Sequence, residues 1–336
     1  MPIATQQAAL QGSRWSIPLI LIAMFSFALQ DVAVKLIAND ISIWQMQAVR
    51  SATVLVLLFV VTTALGRRHE LIPSRWRWPF LRSLTMTGAY LFFYASLPFL
   101  TLAEAGAAFF AGPLMITVLA ALLLGEPIGP RRIVAVLVGF LGVLVIVQPG
   151  VEGWRPVALM PVAAAACYAL AVVMTRWRCK NEPGFSLTFT HNLLYVGLGL
   201  LGVALLPLAP IEASVRADWS FLLEGWLPLS LFAVSLLVAT AATHVVGMLA
   251  SVAAYRDEEA SKIAPFEYAY LAMMPVLDLV IWGLAPSPST LIGMALIIAS
   301  GTFVAWREGR PARPRVQFKG ETPWTPDTDA PPEERR

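Results

Sequence analysis

Charge is scarce in this chain: 13% of its 336 residues are Asp, Glu, Lys or Arg, about half of what a soluble enzyme of this size carries. Cysteine is nearly absent. Cys167 and Cys179 offer neither a metal-binding spacing nor a plausible disulfide, which argues against redox chemistry. The three histidines complete no Cys, His or carboxylate pattern for a metal, and no cofactor is expected. A Gly-x-x-x-x-Gly-Lys-Ser/Thr loop occurs nowhere, so nucleotide-driven work is excluded and any energy must come from gradients. Paired acids at metal spacing and histidine boxes are missing too, which disfavours an integral membrane enzyme acting on a lipid-linked substrate.

What the chain has instead is apolar length. With 58% hydrophobic residues and a mean hydropathy of +0.70, its surface cannot be hidden inside a water-soluble globule. A spanning helix takes ~20 mostly apolar residues, because hydrocarbon is about 30 Å thick and each residue rises ~1.5 Å. Ten stretches qualify, at residues 17–38, 42–65, 79–98, 101–124, 131–148, 156–176, 187–208, 226–252, 259–285 and 289–306. They are too long for barrel strands and lack their alternation, so the fold class expected is all-α, in the membrane.

The basic residues sort these stretches. Arg14, Arg67, Arg68, Arg75, Arg77, Arg131, Arg132, Arg176, Arg178, Lys180, Arg256, Arg307, Arg310, Arg313 and Arg315 fall on one side of the ten-span arrangement, and Arg155 and Arg216 on the other. Positive loops stay inside, so both termini are expected in the cytosol. The same asymmetry accounts for the net charge of +3 without nucleic acid as a partner. The first span is not read as a cleaved signal peptide, because no A-x-A site follows it.

Gly125-Glu126-Pro127 and Gly283-Leu284-Ala285-Pro286 each sit at the turn into the last helix of a set of five. Five is odd, so a second set crosses in the opposite sense, as an inverted repeat. The expected organisation is a cytosolic tail at 1–15, a first repeat at 16–150, a second at 151–306, and a proline-broken cytosolic tail at 307–336 that reads as disordered. Gly139 and Gly142, Gly197, Gly199 and Gly202, Gly293 and Gly301, and Ala163–Ala166 are expected where helices approach closely. Prolines 113, 161, 265 and 275 are expected to bend their spans, and tryptophans such as Trp15, Trp78, Trp177 and Trp219 to mark the membrane interfaces.

The stretch from Ala103 to Gly150, with its Gly-Glu-Pro turn before an Arg-Arg loop, resembles the end of an EamA domain of the drug/metabolite transporter superfamily. Ala264-Pro265-Phe266-Glu267-Tyr268 is similar to the opening of the ninth helix in the branch that includes S-adenosylmethionine uptake and riboflavin transporters. Gln30 to Lys35 and Arg50 resemble that branch as well, whereas Gly283-Leu284 departs from the Gly-Glu usual in the second half. The resemblance implies ten helices in two inverted five-helix EamA repeats, a central cavity and movement of small metabolites.

An ionisable group at membrane depth costs about 2.5–3.5 kcal/mol on insertion scales, so each one needs a partner, water or a role. Asp31 and Lys35 lie four apart in the order that favours an ion pair. Arg50 is expected to meet Asp31 or a substrate anion, and Glu104 to serve at a helix N-terminus. Glu267 and Asp278 share one stripe of the ninth helix, about 16 Å apart along its axis, and predict a water-facing side. Glu267 is the candidate for coupling, by pairing with a cationic cargo or taking up a proton. Candidate substrate-binding residues are Asp31, Arg50, Tyr90, Tyr94, Tyr168, His191, His244, Glu267 and Tyr270, with the tyrosines offering rings to a planar cargo.

These features together predict a secondary transporter in a bacterial inner membrane, moving a small organic metabolite by alternating access, with proton coupling as an option. An exporter of amino acids or drug-like metabolites on the same fold is the alternative. The expected partners are the metabolite and the lipid bilayer, with the protein a monomer or a homodimer.

Overall fold

A computed structural model describes residues 3–126, 128–150, 154–257 and 260–308. From residue 309 onward the tail expected to be disordered lies outside the described residues. Among the described residues the fold is helical throughout, with no strand.

The helices are α1 (Ile3–Ile37), α2 (Ile43–Ala64), α3 (Arg77–Ser96), α4 (Leu102–Phe109), α5 (Gly112–Leu124), α6 (Pro130–Val147), α7 (Met160–Arg178), α8 (Gly184–Leu205), α9 (Ala213–Asp218), α10 (Ser220–Leu223), α11 (Leu231–Asp257), α12 (Ala260–Trp282) and α13 (Pro288–Glu308). Among the described residues seven helical stretches are long and apolar enough to cross a membrane: 15–37, 43–64, 102–124, 130–147, 156–178, 184–208 and 231–251. Helices α3 and α12 fall outside that set, and α13 supplies a shorter apolar run, Pro288–Val304. Outward-facing side chains agree with a lipid solvent. Leu231 is 86% exposed, Val280 75% and Leu122 74%, a surface that water does not tolerate at this density. This is a multi-pass membrane protein.

Local chemistry sets the boundaries. Ser42 caps α2 by accepting from the Gln45 amide at 3.2 Å. Thr101 and Glu104 form a capping box at α4: the Thr101 hydroxyl accepts from the Glu104 amide, and the Glu104 carboxylate from the Thr101 amide. Gly125 and Gly283, at φ +70° and +67°, close α5 and α12 in the left-handed conformation glycine adopts without strain. The next amide then reaches back in both cases, Glu126 to the Ala120 carbonyl and Leu284 to the Asp278 carbonyl. Glycine does the capping; the Glu126 carboxylate instead pairs with Arg176 of α7.

Three expectations of local structure change. The stretch 101–124 is two helices, broken at Phe110 and Ala111 ahead of Pro113. Pro113 and Pro161 stand in first turns, where a missing N–H costs nothing, rather than bending helix interiors. The stretch 226–252 becomes helical only at Leu231, because Gln45 and Ser42 of α2 hold the preceding chain extended by bonds to Leu227 and Gly225.

Helices pack in a regular pattern. α1 lies on α11, α3 on α7, α2 on α8 and α6 on α13, with secondary contacts of α1 on α12, α5 on α7, α3 on α8 and α2 on α11. At the α6–α13 seam Gly142 and Gly293 approach so closely that a Cβ on either would meet the other's carbonyl oxygen, at 2.8 Å and 2.6 Å. Gly199 fits against the backbone of Trp44 and Ala48 in the same way, whereas Gly197 touches nothing and needs no such account.

Candidate functional site

A cavity of about 370 Å³ opens among α1, α3, α4, α5, α7, α8, α11 and α12. Its wall is aromatic. Phe27, Tyr90, Phe93, Tyr94, Phe109, Phe110, Tyr168 and Tyr270 all line it, with His191 and His244 among them. The break between α4 and α5 sets Phe109 and Phe110 side by side in this wall. Phe109 packs on Tyr168 at 5.5 Å and on Phe93 at 5.2 Å, and Phe110 stacks on Tyr270 with the ring planes 22° apart. Irregular backbone at membrane depth is tolerated where it is buried in protein or lines a cavity, and here it does the latter.

Polar groups interrupt the wall in chains of hydrogen bonds. The buried Asp31 carboxylate accepts the Tyr270 hydroxyl proton at 2.5 Å, joining α1 to α12. Gln30, next to it, donates to the Tyr94 hydroxyl at 2.6 Å and pairs its carbonyl oxygen with His244 Nδ1 at 3.0 Å. Arg50 donates to the same Tyr94 hydroxyl at 3.2 Å and to Gln47 at 2.8 Å, with its guanidinium 5.4 Å from the rings of both Tyr90 and Tyr94. A cation held against two ring faces is stabilised by their quadrupoles.

Eight of the nine residues singled out from the sequence line this cavity: Asp31, Tyr90, Tyr94, Tyr168, His191, His244, Glu267 and Tyr270. Arg50 does not. It is 3% exposed and sits behind Tyr90 and Tyr94, so its partner is the hydroxyl of Tyr94 rather than Asp31. Gln30, Arg82, Thr188, Asn192 and Ser251 also line the cavity and were not singled out as binding residues. Arg82 is the instructive omission. Arg82, Met86, Ala89 and Phe93 follow a helical i, i+4, i+7, i+11 spacing, so the aromatic face of α3 carries the arginine too.

Two expected arrangements are replaced by others. Lys35 does not pair with Asp31. Its ammonium lies 3.6 Å from Asp278, donates to the Leu100 carbonyl at 2.7 Å and sits 5.0 Å from the Trp282 ring. Asp278, in turn, shares no water-facing stripe with Glu267. It is 1% exposed and accepts the Leu102 and Ala103 amides at 3.1 and 2.8 Å, capping the N-terminus of α4 from outside its own helix. The reason is reach. Lys35 stands in the last turn of α1, where a four-carbon stem extends beyond the helix end, and two unpaired amides of α4 already draw a carboxylate to the same spot.

Among the described residues no group of three or more His, Cys, Asp or Glu side chains is placed to hold a metal ion. Polar atoms are few, and the cavity presents rings, two carboxylates, one arginine and amide or hydroxyl groups.

Residues 14–148 match the EamA-like transporter family. Over 90% of its length the chain is 24% identical to a riboflavin transporter of Vibrio cholerae, of which it covers 96%. The first part of the chain is thus similar to the EamA-like transporters of the drug/metabolite transporter superfamily. An S-adenosylmethionine uptake transporter of Rickettsia bellii is 25% identical over 59% of the chain and 62% of that protein. A solved crystal structure at 20% identity covers 88% of this chain and 99% of its own with a TM-score of 0.55, a likeness of fold. These likenesses, with the apolar helices of the fold, support a membrane transporter of small metabolites.

Proposed function

We propose that this protein is an EamA transporter, a secondary carrier of a small, planar organic metabolite in a bacterial inner membrane, and that two five-helix halves rock about the cavity to expose it to each side in turn. The observation that carries the reading is the cavity itself: helices of both halves build it, and rings from both halves face into it. Planar cargo is what such a wall stacks against. Both relatives named above are called transporters of compounds with a planar heteroaromatic ring, riboflavin and S-adenosylmethionine.

The pattern of helix pairing supports the two-half arrangement. Numbering α4 with α5 as one span and leaving out the short α9 and α10 gives ten, and exchanging spans one to five with spans six to ten carries every major contact onto another or onto itself. The α1–α11 pair becomes α7–α3, α1–α12 becomes α7–α5, and α3–α8 becomes α11–α2, while α2–α8 and α6–α13 map onto themselves. The matching glycine turns at Gly125 and Gly283 fall at equivalent places in that exchange. An odd number of spans per half inverts the second half, with both termini in the cytosol, and the pairs that map onto themselves, α2–α8 and α6–α13, are those a pseudo-twofold axis in the membrane plane would pass between.

Asp31, Arg50, Tyr90, Tyr94, Tyr168, His191, His244, Glu267 and Tyr270 serve the cargo in this reading, Arg50 by holding Tyr94 in place. Glu267 couples transport to protons by accepting one in each cycle. The test is uptake of labelled riboflavin and S-adenosylmethionine into proteoliposomes under an imposed pH gradient, comparing wild type with Glu267→Gln. Gradient-stimulated uptake of one compound by wild type, with the stimulation lost in the variant, is expected. Equal stimulation in a correctly inserted variant excludes Glu267 as the coupling group, and trans-acceleration by unlabelled compound separates a carrier from a channel.

A further inference from the structure

We propose that Arg82 anchors an acidic group of the cargo, a carboxylate or a phosphate, so that the metabolite carried is a planar ring bearing an anionic arm. The inference rests on the carrier reading above and names the chemistry of its cargo.

Arg82 lines the cavity near the start of α3, and its Nε donates to the Thr175 hydroxyl of α7 at 3.1 Å. Thr175 is itself held, donating to the Ala171 carbonyl at 2.8 Å. The guanidinium is thus fixed by one edge. Its two terminal nitrogens meet no hydrogen-bond acceptor among the described residues, and no carboxylate of those residues lies within 4.0 Å.

The neighbouring cations deep in the fold are placed differently. Lys35 has Asp278 and the Leu100 carbonyl, and Arg50 has Gln47, Tyr94 and two ring faces. Neither lines the cavity. Arg82 does, with four N–H donors unanswered, in the planar fork that binds carboxylate and phosphate by two parallel bonds. A guanidinium edge open to the cavity is a ready partner for an oxyanion, which it binds more strongly than a neutral acceptor.

The geometry also fixes where the ring goes. Tyr90 lies eight residues on from Arg82 along the same face of α3, about 12 Å along the axis, with Met86 between them. Tyr90 begins the ring cluster, packing on Tyr94, Tyr195 and His191 at 5.7 Å each. A ring among these aromatics with an arm of a few bonds reaches the guanidinium.

Equilibrium binding to the purified full chain in lipid nanodiscs tests this with two matched pairs: S-adenosylmethionine against its decarboxylated form, and riboflavin 5′-phosphate against riboflavin. Wild type should bind the acid-bearing member of a pair about tenfold or more tightly than its twin. The pair that shows the preference distinguishes a carboxylate cargo from a phosphate one. Arg82→Ala should lower affinity for the acid-bearing member by a similar factor and for its twin by much less, while Arg82→Lys should keep part of the preference. Ring compounds that bind wild type with no preference for the acid overturn the assignment and leave the planar-cargo reading standing. The wild-type comparison decides this even where a variant fails to fold. Binding of none of the four overturns both.

Discussion

Two clusters of charge lie inside this fold, and they are opposites in how completely they are satisfied. In the clasp formed by Lys35, Asp278 and the N-terminus of α4, each carboxylate oxygen takes a backbone amide, and the ammonium has the carboxylate, a carbonyl and an indole ring. In the cavity Asp31 has the Tyr270 hydroxyl with Tyr94 and Gln30 also beside it, all of them neutral groups, and Arg82 has one hydroxyl on one edge. The same residue types at the same cost of insertion therefore do different work. The clasp ties α1, α4 and α12 together, and the cavity keeps bonding capacity open, which the proposed function assigns to the cargo.

Breaking the clasp should have the largest effect on stability. Asp278→Ala strands Lys35 and uncaps α4, and a loss of about 3–5 kcal/mol is expected in thermal or denaturant unfolding of detergent-solubilised protein. Pairing it with Lys35→Met should recover part of that loss, since the stranded charge is gone while the open amides of α4 remain. A single variant as stable as wild type would erase the distinction between the two clusters. Asp31→Asn, in the cavity, should cost about 1 kcal/mol because the Tyr270 hydroxyl keeps an acceptor, yet it should reduce uptake severely. Equal loss in the two assays would mean that Asp31 is a second clasp. Arg176→Ala removes a half-exposed ion pair with Glu126 at the end of α5, and a change below about 1 kcal/mol is expected in the same unfolding measurement.

The placement of helices was legible from the apolar runs and the punctuation between them, since Gly125, Gly283 and the Thr101–Glu104 box declare their ends by local chemistry alone. The cavity's tyrosines, Asp31 and Glu267 were legible because charged and aromatic groups in an apolar run stand out. What escaped was choice of partner. Asp31 is the nearest acid to Lys35 along the chain, but Asp278, 243 positions away, is the one the fold delivers. Arg82 was overlooked because it stands close to the loop arginines Arg75 and Arg77, and only its face of α3 separates it from them. The break at Phe110 stands directly ahead of Gly112-Pro113, where proline lacks the N–H and crowds the carbonyl four residues back, and Phe109 and Phe110 then pack against rings on α3, α7 and α12.

On the proposed carrier reading, the mutual contact of Gly142 and Gly293 sets a limit on how the two proposed halves move. Where main chain touches main chain, no rotamer change can absorb a sliding displacement, so that seam behaves as an axle rather than a bearing surface. In that proposed cycle, a swing that opens one mouth of the cavity and shuts the other turns about such main-chain contacts, of which Gly199 against Trp44 and Ala48 in the α2–α8 seam is a second.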